Sequence, residues 1–324
     1  MSIYIPARLQ EIDGAAVVFA DSMIDLVEAI VKKDPEKFAI AVTAQDVRTH
    51  YSAGIISLPM GMENGAPIED LEKLSHFYDR GIRYITLTHG KVNQISDSSY
   101  DTTRTWNGLS PFGEEVVAEM NRLGIMVDIS HVSDSAFYDV MRITRAPAIA
   151  SHSSARHFTP DFERNMSDDM IRELGAGGGV IQINFGSSFL IESANKTGFG
   201  NWMAVRRYLE ENEIESDSKE GIEYREKYFE EHPSPFADVS DVADHIDHVV
   251  ELIGIDHVGI GSDYDGVGDS LPTGLKDVAG YPNLIAELLK RGYSDADLEK
   301  CFGGNLLRVW ERVDAVAAQL KVAK

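Results

Sequence analysis

Short apolar segments rich in β-branched residues recur along the chain and alternate with amphipathic stretches. The apolar segments are hydrophobic throughout rather than at every second position, which is typical of strands buried on both faces. They predict strands at Ile3–Ile5, Phe38–Val42, Ile55–Met62, Tyr84–Thr88, Met126–Ser130, Ala146–Ser151, Val180–Phe185 and His257–Ser262. The stretches between them predict helices at Asp21–Lys33, Ile68–Arg80, Gly113–Leu123, Ser133–Thr144, Ser167–Leu174, Val239–Ile253 and Asn283–Arg291.

Strand alternates with helix over the whole chain, and this order predicts a parallel α/β sheet. The number of units favours a (β/α)8 barrel of the TIM type over a doubly wound sheet. A doubly wound dinucleotide-binding fold would also carry a glycine fingerprint directly after a strand, whereas the glycine cluster at Gly175–Gly179 comes before one. We therefore expect a single barrel domain over residues 1–324.

One segment, at about residues 191–238, is longer than a single connecting helix requires. Its central part, Arg206–Glu231, is helical in pattern and carries ten acidic against five basic residues. We interpret the segment as a charged helical insertion on the barrel rim, acting as a lid or a contact surface. The alternative is a solvated face without a specific role.

The composition and net charge limit which molecules the chain is expected to bind. The 324 residues include 30 Lys and Arg against 53 Asp and Glu, a formal charge of −23. Nucleic acid and anionic lipid both require a basic face, so neither is an expected partner. The apolar runs are too short to cross a membrane, for which about 20 residues are needed. No secretory leader is visible in MSIYIPARLQ. We expect a cytoplasmic protein, or a periplasmic or secreted one if its natural start lies upstream.

Carboxylate and imidazole side chains follow five of the predicted strands: Glu63, His89, His131, His152 and Asp263. In a barrel these positions share the catalytic face. A single histidine there is commonly structural, but five such residues predict a centre for zinc or a similar divalent ion. The one cysteine, Cys301, excludes the cysteine-based zinc sites. Hydrolysis by metal-activated water fits such a centre, and a carboxylate alone on its strand suits proton transfer.

Two other patterns in the chain bear on its chemistry. The run from Asp244 to His248 contains ligand-type side chains at i, i+3 spacing, but it lies in a predicted helix. A polar helix face is therefore the favoured interpretation of this run. The chain contains no G-x-S-x-G motif, which disfavours a serine hydrolase of the α/β type.

A series of longer motifs covers essentially the whole chain. They are GMENG, ITLTH, GLSPFG, VVAEMNRLGIMVDISHVS, IASHSSA, RNMSDDM, GIGSDYDG, YPNLIAELLKRGYS and GGNLLRV. At these residues the chain resembles the membrane (renal) dipeptidase family of metallopeptidases, a branch of the amidohydrolase superfamily. The resemblance implies a zinc-dependent homodimer that cleaves dipeptides, including those with a C-terminal D-residue.

The resemblance also implies roles for the strand-end residues. Glu63 would bridge two zinc ions, and His131 and His152 would complete the coordination of the second. His89 would contact the substrate and stabilise the tetrahedral oxyanion.

Two further residues complete the implied site. Arg164 would bind the terminal carboxylate of the dipeptide, a task that suits the guanidinium fork. Asp263 would orient the attacking water and transfer its proton.

The chain departs from the family at one point. The first barrel strand of the family carries His-x-Asp, which binds the first zinc, whereas the only His-x-Asp here is His245 to Asp247, in a predicted helix. The opening SIYIP resembles the second strand of the family. We therefore expect a barrel without its first strand, either because an N-terminal segment is missing, which we favour, or because the natural chain keeps one metal position. One or two zinc ions are then expected.

Three functions remain open at this point. The first is a zinc-dependent dipeptidase. The second is another amidohydrolase reaction, on N-acyl-D-amino acids or β-lactams. The third is a non-catalytic or truncated barrel that lacks the first metal site.

Overall fold

The computed structural model describes residues 1–216 and 218–322. The strands are β1 (Ser2–Tyr4), β2 (Phe38–Ala41), β3 (Ile56–Glu63), β4 (Ile82–Thr86), β5 (Met126–Asp128), β6 (Ile149–Ser153), β7 (Val180–Ile183) and β8 (Val258–Ile260). The helices are α1 (Ala15–Lys33), α2 (Ala44–Ser52), α3 (Leu71–Asp79), α4 (Pro111–Leu123), α5 (Asp134–Ile143), α6 (Asp168–Ala176), α7 (Ser187–Leu190), α8 (Glu192–Glu211), α9 (Lys219–Glu231), α10 (Val239–Ile253), α11 (Tyr281–Lys290), α12 (Asp295–Glu299) and α13 (Asn305–Val322).

All paired strands run parallel, in the order β1-β3-β4-β5-β6-β7-β8. Strand β2 lies outside this path and pairs only with the long strand β3 among the described strands. The first half of β3 pairs with β2 from Ile56 onward, and its second half pairs with β1 up to Glu63. The strands form a curled parallel sheet with connecting helices, which confirms the predicted barrel class.

The sheet does not close on itself in the described part of the chain. Strands β1 and β8 are the two ends of the path and are not paired with each other. A cavity of about 1380 Å³ reaches both ends of the sheet and includes Ser2 and Ile260 in its wall. The same cavity extends to Glu63, His152 and Asp263, so the candidate centre lies beside the opening.

Capping residues at both ends define where the helices begin and end, as α4 illustrates. In α4, the hydroxyl of Ser110 accepts a hydrogen bond from the Gly113 amide, and Pro111 occupies the first turn. The helix ends at Gly124, whose φ of 99° is the left-handed conformation that glycine adopts without strain. The core fills the interior between sheet and helices, and all four residues of β7 are buried.

The charged segment forms two helices, α8 and α9, rather than one continuous helix. The rings of Tyr208 and Tyr224 stack across them, with centroids 3.7 Å apart. Few of their residues are buried. The function of the segment as a lid or contact surface stays a prediction.

Two further observations concern burial and the membrane. Cys301 is buried, which suits a structural thiol. Across the described residues, no helix has both the length and the apolar character required to span a bilayer.

Candidate metal centre

The predicted site residues lie at one end of the sheet, although several strand ends differ from the prediction. Glu63 is the last residue of β3, and His152 lies inside β6 rather than after it. The other three follow their strands by three residues: His89 after β4, His131 after β5 and Asp263 after β8. Some predicted strands extend beyond the observed strand ends, because the apolar pattern continues into buried loop residues such as Leu87.

The backbone turns sharply beside these side chains. His131 has a φ of 69°, Asp263 a φ of 55° and Asn64, directly after Glu63, a φ of 86°. Left-handed backbone is uncommon for residues other than glycine, and strain of this kind clusters at functional sites. Two of these three residues are predicted site residues, and the third directly follows one.

One carboxylate oxygen is the centre of the cluster. Oε1 of Glu63 lies 3.3 Å from Nε2 of His152, 3.4 Å from Nε2 of His89 and 3.5 Å from Nε2 of His131. Two ligands of a tetrahedral zinc ion, each about 2.0–2.1 Å from the metal, are themselves roughly 3.3–3.4 Å apart. Each imidazole nitrogen is therefore at a distance from Glu63 that fits two ligands of one ion, and the ligand atoms of Glu63, His89 and His131 all lie within 4.8 Å of one another.

His131 and His152 approach each other closely as well. Their Nε2 atoms are 2.9 Å apart, so both rings direct the same nitrogen at the same point. Nδ1 of His131 is buried without a hydrogen-bond partner among the described residues. Two imidazoles beside one carboxylate form a donor set that suits zinc and similar ions.

Protonation within the cluster favours metal binding. Burial by itself raises the pKa of Glu63, but its contacts with the imidazoles of His131, His152 and His89 outweigh that effect and hold the pKa well below its usual value. Burial, with help from the Arg164 charge, lowers the pKa of His131 well below its usual value. Glu63 is therefore an anion and His131 is neutral, as ligands must be.

His89 belongs to the same cluster rather than standing apart from it. Its ligand atom lies within 4.8 Å of those of Glu63 and His131. Its ring packs against His131 at a centroid distance of 4.0 Å and meets Tyr4 edge-on at 5.0 Å. The side chain is 22% exposed, which leaves it open to a bound molecule.

Arg164 is a buried cation close to this cluster. Its guanidinium donates to Oγ of Ser153 at 2.6 Å and to the main-chain oxygen of His152 at 2.7 Å, and its Nε has no partner among the described residues. Neither of its two acceptors is a carboxylate. A buried guanidinium without an anionic partner fits the binding of a carboxylate from a ligand.

Asp263 shares the cavity wall with Glu63 and His152. Its Oδ2 accepts a hydrogen bond from Nδ2 of Asn184 at 2.9 Å. Burial raises its pKa above the usual value, and the charge of Glu63 acts in the same direction. A raised pKa suits a group that takes up and releases a proton.

Sequence reasoning missed the residues that support this cluster. Ser151 and Asp128 orient His152, and Asn184 holds Asp263. The available signal was the presence of polar residues inside otherwise apolar strands, as at Asp128 in MVDIS.

The run from Asp244 to His248 belongs to α10 and lies outside the centre. Asp244 and Asp247 each pair with Arg291 at 2.7 Å. For these two residues the structure confirms a polar helix face. His245 is buried within the helix packing.

The chain is similar to known proteins along essentially its whole length. The sequence model of the membrane dipeptidase family, peptidase family M19, matches residues 1–324. An uncharacterized dipeptidase of Schizosaccharomyces pombe is 34% identical over 318 residues, which is 96% of this chain and 67% of that protein. Dipeptidase 3 of Mus musculus is 33% identical over 97% of this chain and 55% of its own length.

Solved structures give the same result. The probable dipeptidase PvdM from Pseudomonas aeruginosa has a TM-score of 0.82 and 31% identity, covering 94% of this chain and 82% of its own. A metallo peptidase from Rhodobacter sphaeroides, liganded with a phosphinate mimic of the dipeptide L-Ala-D-Ala, has a TM-score of 0.77 and 26% identity, covering 97% of this chain and 86% of its own. The chain therefore belongs to the membrane dipeptidase family, peptidase family M19, a family of metallo-dipeptidases that act on dipeptides.

Proposed function

We propose that the chain is a zinc-dependent dipeptidase whose substrates include dipeptides with a C-terminal D-residue. The observation that carries the proposal is the convergence of three imidazole nitrogens on Oε1 of Glu63, at 3.3–3.5 Å. The cluster lies at the end of the sheet where barrel enzymes carry out chemistry. The L-Ala-D-Ala mimic bound by the Rhodobacter sphaeroides relative supports the D-residue.

Glu63, His131 and His152 would hold the ion. Bound there, zinc polarises a carbonyl oxygen and lowers the pKa of a water molecule toward about 7. The buried, ionised Glu63 supplies the negative charge that such a site needs. One or two ions per chain are expected, and direct metal analysis distinguishes the two.

Arg164 supports a substrate with a free C-terminal carboxylate. Its Nη2 donates to the main-chain oxygen of His152, so the guanidinium lies next to the strand that carries a proposed metal ligand. A C-terminal carboxylate held by Arg164 would direct the last peptide bond of the substrate toward the centre. The preference for dipeptides rests on the family to which the chain belongs.

Asp263 and His89 would act on the reacting atoms. Asp263 takes a proton from the attacking water and passes it to the nitrogen of the leaving amine as the carbon–nitrogen bond breaks. Asn184 fixes the carboxylate through its hydrogen bond to Oδ2. His89, partly exposed beside the cluster, donates to the oxygen on which negative charge develops.

The test combines metal analysis with a substrate panel. Zinc-loaded protein is assayed on L,L and L,D dipeptides, N-acyl-D-amino acids and a β-lactam. We expect bound zinc and turnover of dipeptides. Turnover of only the acyl or lactam compounds would indicate another amidohydrolase reaction, and bound zinc without any turnover would indicate a non-catalytic barrel.

The catalytic assignment has its own variant and control. Asp263→Asn should retain zinc and lower kcat by roughly 10²–10⁴-fold, the usual contribution of a general acid or base. Asp265→Asn makes the same charge change at an exposed position of the same loop and should leave kcat unchanged. Full activity of Asp263→Asn would overturn the proton-transfer role.

A further inference from the structure

A second cluster of ligand-type side chains lies outside the centre described above. His157, Asp168 and His248 each offer one ligand atom, and these atoms all lie within 4.8 Å of one another. The three residues come from separate elements: the 3-10 turn Arg156–Phe158, the first residue of α6 and the middle of α10. We infer that this cluster is a peripheral metal site that binds a divalent first-row transition ion such as Zn²⁺.

The distances suit a shared ion. Nε2 of His248 lies 2.8 Å from Oδ1 of Asp168, and the rings of His157 and His248 are stacked with centroids 4.5 Å apart and an interplanar angle of 23°. Ligands of one zinc ion are roughly 3.3 Å apart, so small side-chain movements are enough. His157 is exposed and the other two are partly exposed, which leaves a path for an ion.

The imidazole rings are held in place by packing. Phe158 meets the ring of His248 edge-on at 5.6 Å and the ring of His157 edge-on at 4.9 Å. Phe158 also packs against the ring of His245, with centroids 4.4 Å apart. Side chains fixed in this way lose little conformational freedom when an ion binds.

The neighbouring ionisable groups have other partners. Nδ1 of His245 accepts a hydrogen bond from the Ala155 amide and its Nε2 donates to the oxygen of Leu190, while burial lowers its pKa to about 4. His245 is therefore neutral and unavailable as a ligand. Arg156, next to His157, is held by both oxygens of Asp134.

The donor set selects the class of ion. Two imidazoles with one carboxylate suit zinc, nickel or copper, whereas magnesium and calcium prefer oxygen ligands. Three protein ligands leave at least one position for water. The formal charge of −23 raises the concentration of cations near the surface.

An ion at this site would also stabilise the loop that carries Arg164. The Arg156 amide donates to the oxygen of Met166 at 2.8 Å, and Nε of Arg156 donates to the oxygen of Asn165 at 2.8 Å. These bonds join the turn that contains His157 to the residues after Arg164. Linking His157 to α6 and α10 therefore restrains that loop, and binding to the folded state raises its stability.

The test is a difference in zinc binding between matched variants of the full chain. Wild type, His157→Ala and Asp168→Asn are stripped with chelator, dialysed against Zn²⁺ and analysed for bound metal. We expect both variants to hold one ion fewer, or to bind that ion at least about tenfold more weakly. His232→Ala removes another exposed histidine and should match wild type.

Two controls make the result decisive. Circular dichroism in chelator should show that the variants fold like wild type, and added zinc should raise the Tm of wild type more than that of His157→Ala. Equal zinc stoichiometry and affinity in wild type, His157→Ala and Asp168→Asn would overturn the inference. Because the readout is a difference in bound ions, it does not depend on the proposed dipeptidase activity.

Discussion

Oγ of Ser151 lies 2.7 Å from Nδ1 of His152, its neighbour in β6, and donates its own proton to Oδ2 of Asp128 at 2.6 Å. The buried Asp128 also accepts from the hydroxyl of Thr86 and from the amides of Ser130 and Ser151. Because Ser151 uses its proton on Asp128, it accepts a proton from Nδ1 of His152. Nε2 of His152 is then free of a proton where it faces Glu63, as a metal ligand requires.

Removing this hydroxyl should weaken metal binding. In Ser151→Ala, Asp128 keeps its bonds from Thr86 and two amides, so the fold is retained, but His152 loses the group that fixes its tautomer. Losses of this kind cost about 10–100-fold in metal affinity. Competition with a chromophoric chelator measures the effect, with Ser22→Ala on α1 as the control. Unchanged affinity in Ser151→Ala would contradict the orienting role.

Arg164 should determine recognition of the substrate carboxylate. Arg164→Lys keeps the charge but loses the fork, so we expect KM for a dipeptide to rise at least about tenfold, equivalent to about 1.4 kcal/mol of binding. A dipeptide with a C-terminal carboxamide should be a poor substrate of the wild type, and Arg164→Lys should narrow the difference between the two substrates. Equal cleavage of carboxylate and carboxamide by the wild type would contradict this role.

The pH dependence of kcat/KM should report the ionisation of the Asp263 carboxylate. Its carboxylate must be ionised to accept a proton, so kcat/KM falls as pH decreases through its pKa, which burial raises above the usual value. The hydrogen bond from Asn184 lowers that pKa. Asn184→Ala should therefore move the acid limb to higher pH, whereas Asn195→Ala on α8 should leave it in place. A limb that moves to lower pH would contradict the assignment.

The sequence indicates candidate site residues but not their arrangement. Glu63, His131 and Asp263 are candidates because charged or imidazole side chains at the ends of apolar strands are distinctive. The convergence of His89, His131 and His152 on a single oxygen of Glu63 depends on the curl of the sheet, which the local pattern does not encode. The contact between His157 and His248 depends on packing between distant segments: His248 belongs to the run of ligand-type side chains that starts at Asp244, but no local pattern indicates that His157 lies beside it.

Strand boundaries were less predictable for a physical reason. Hydrophobicity reports burial, whereas a strand is defined by its hydrogen bonds. Leu87 and Ile129 are buried beyond the ends of β4 and β5, so the apolar pattern overran the paired residues there. The sequence predicts that His152 follows a strand, because a polar residue after an apolar run commonly marks the end of a strand. In the structure His152 lies inside β6.

The buried His245 should make stability depend on pH. Its pKa is about 4 in the folded chain, against a usual value of 6.5, because burial opposes its charge. The unfolded chain takes up this proton first, so stability is lost as pH falls from about 6.5 toward about 4. Between pH 7.5 and pH 5 this one residue should cost about 2 kcal/mol of unfolding free energy. Urea unfolding of metal-free wild type and His245→Gln at both pH values measures this cost. The loss of unfolding free energy between pH 7.5 and pH 5 should be smaller in the variant by that amount. An equal loss in both proteins would show that His245 does not titrate in this way.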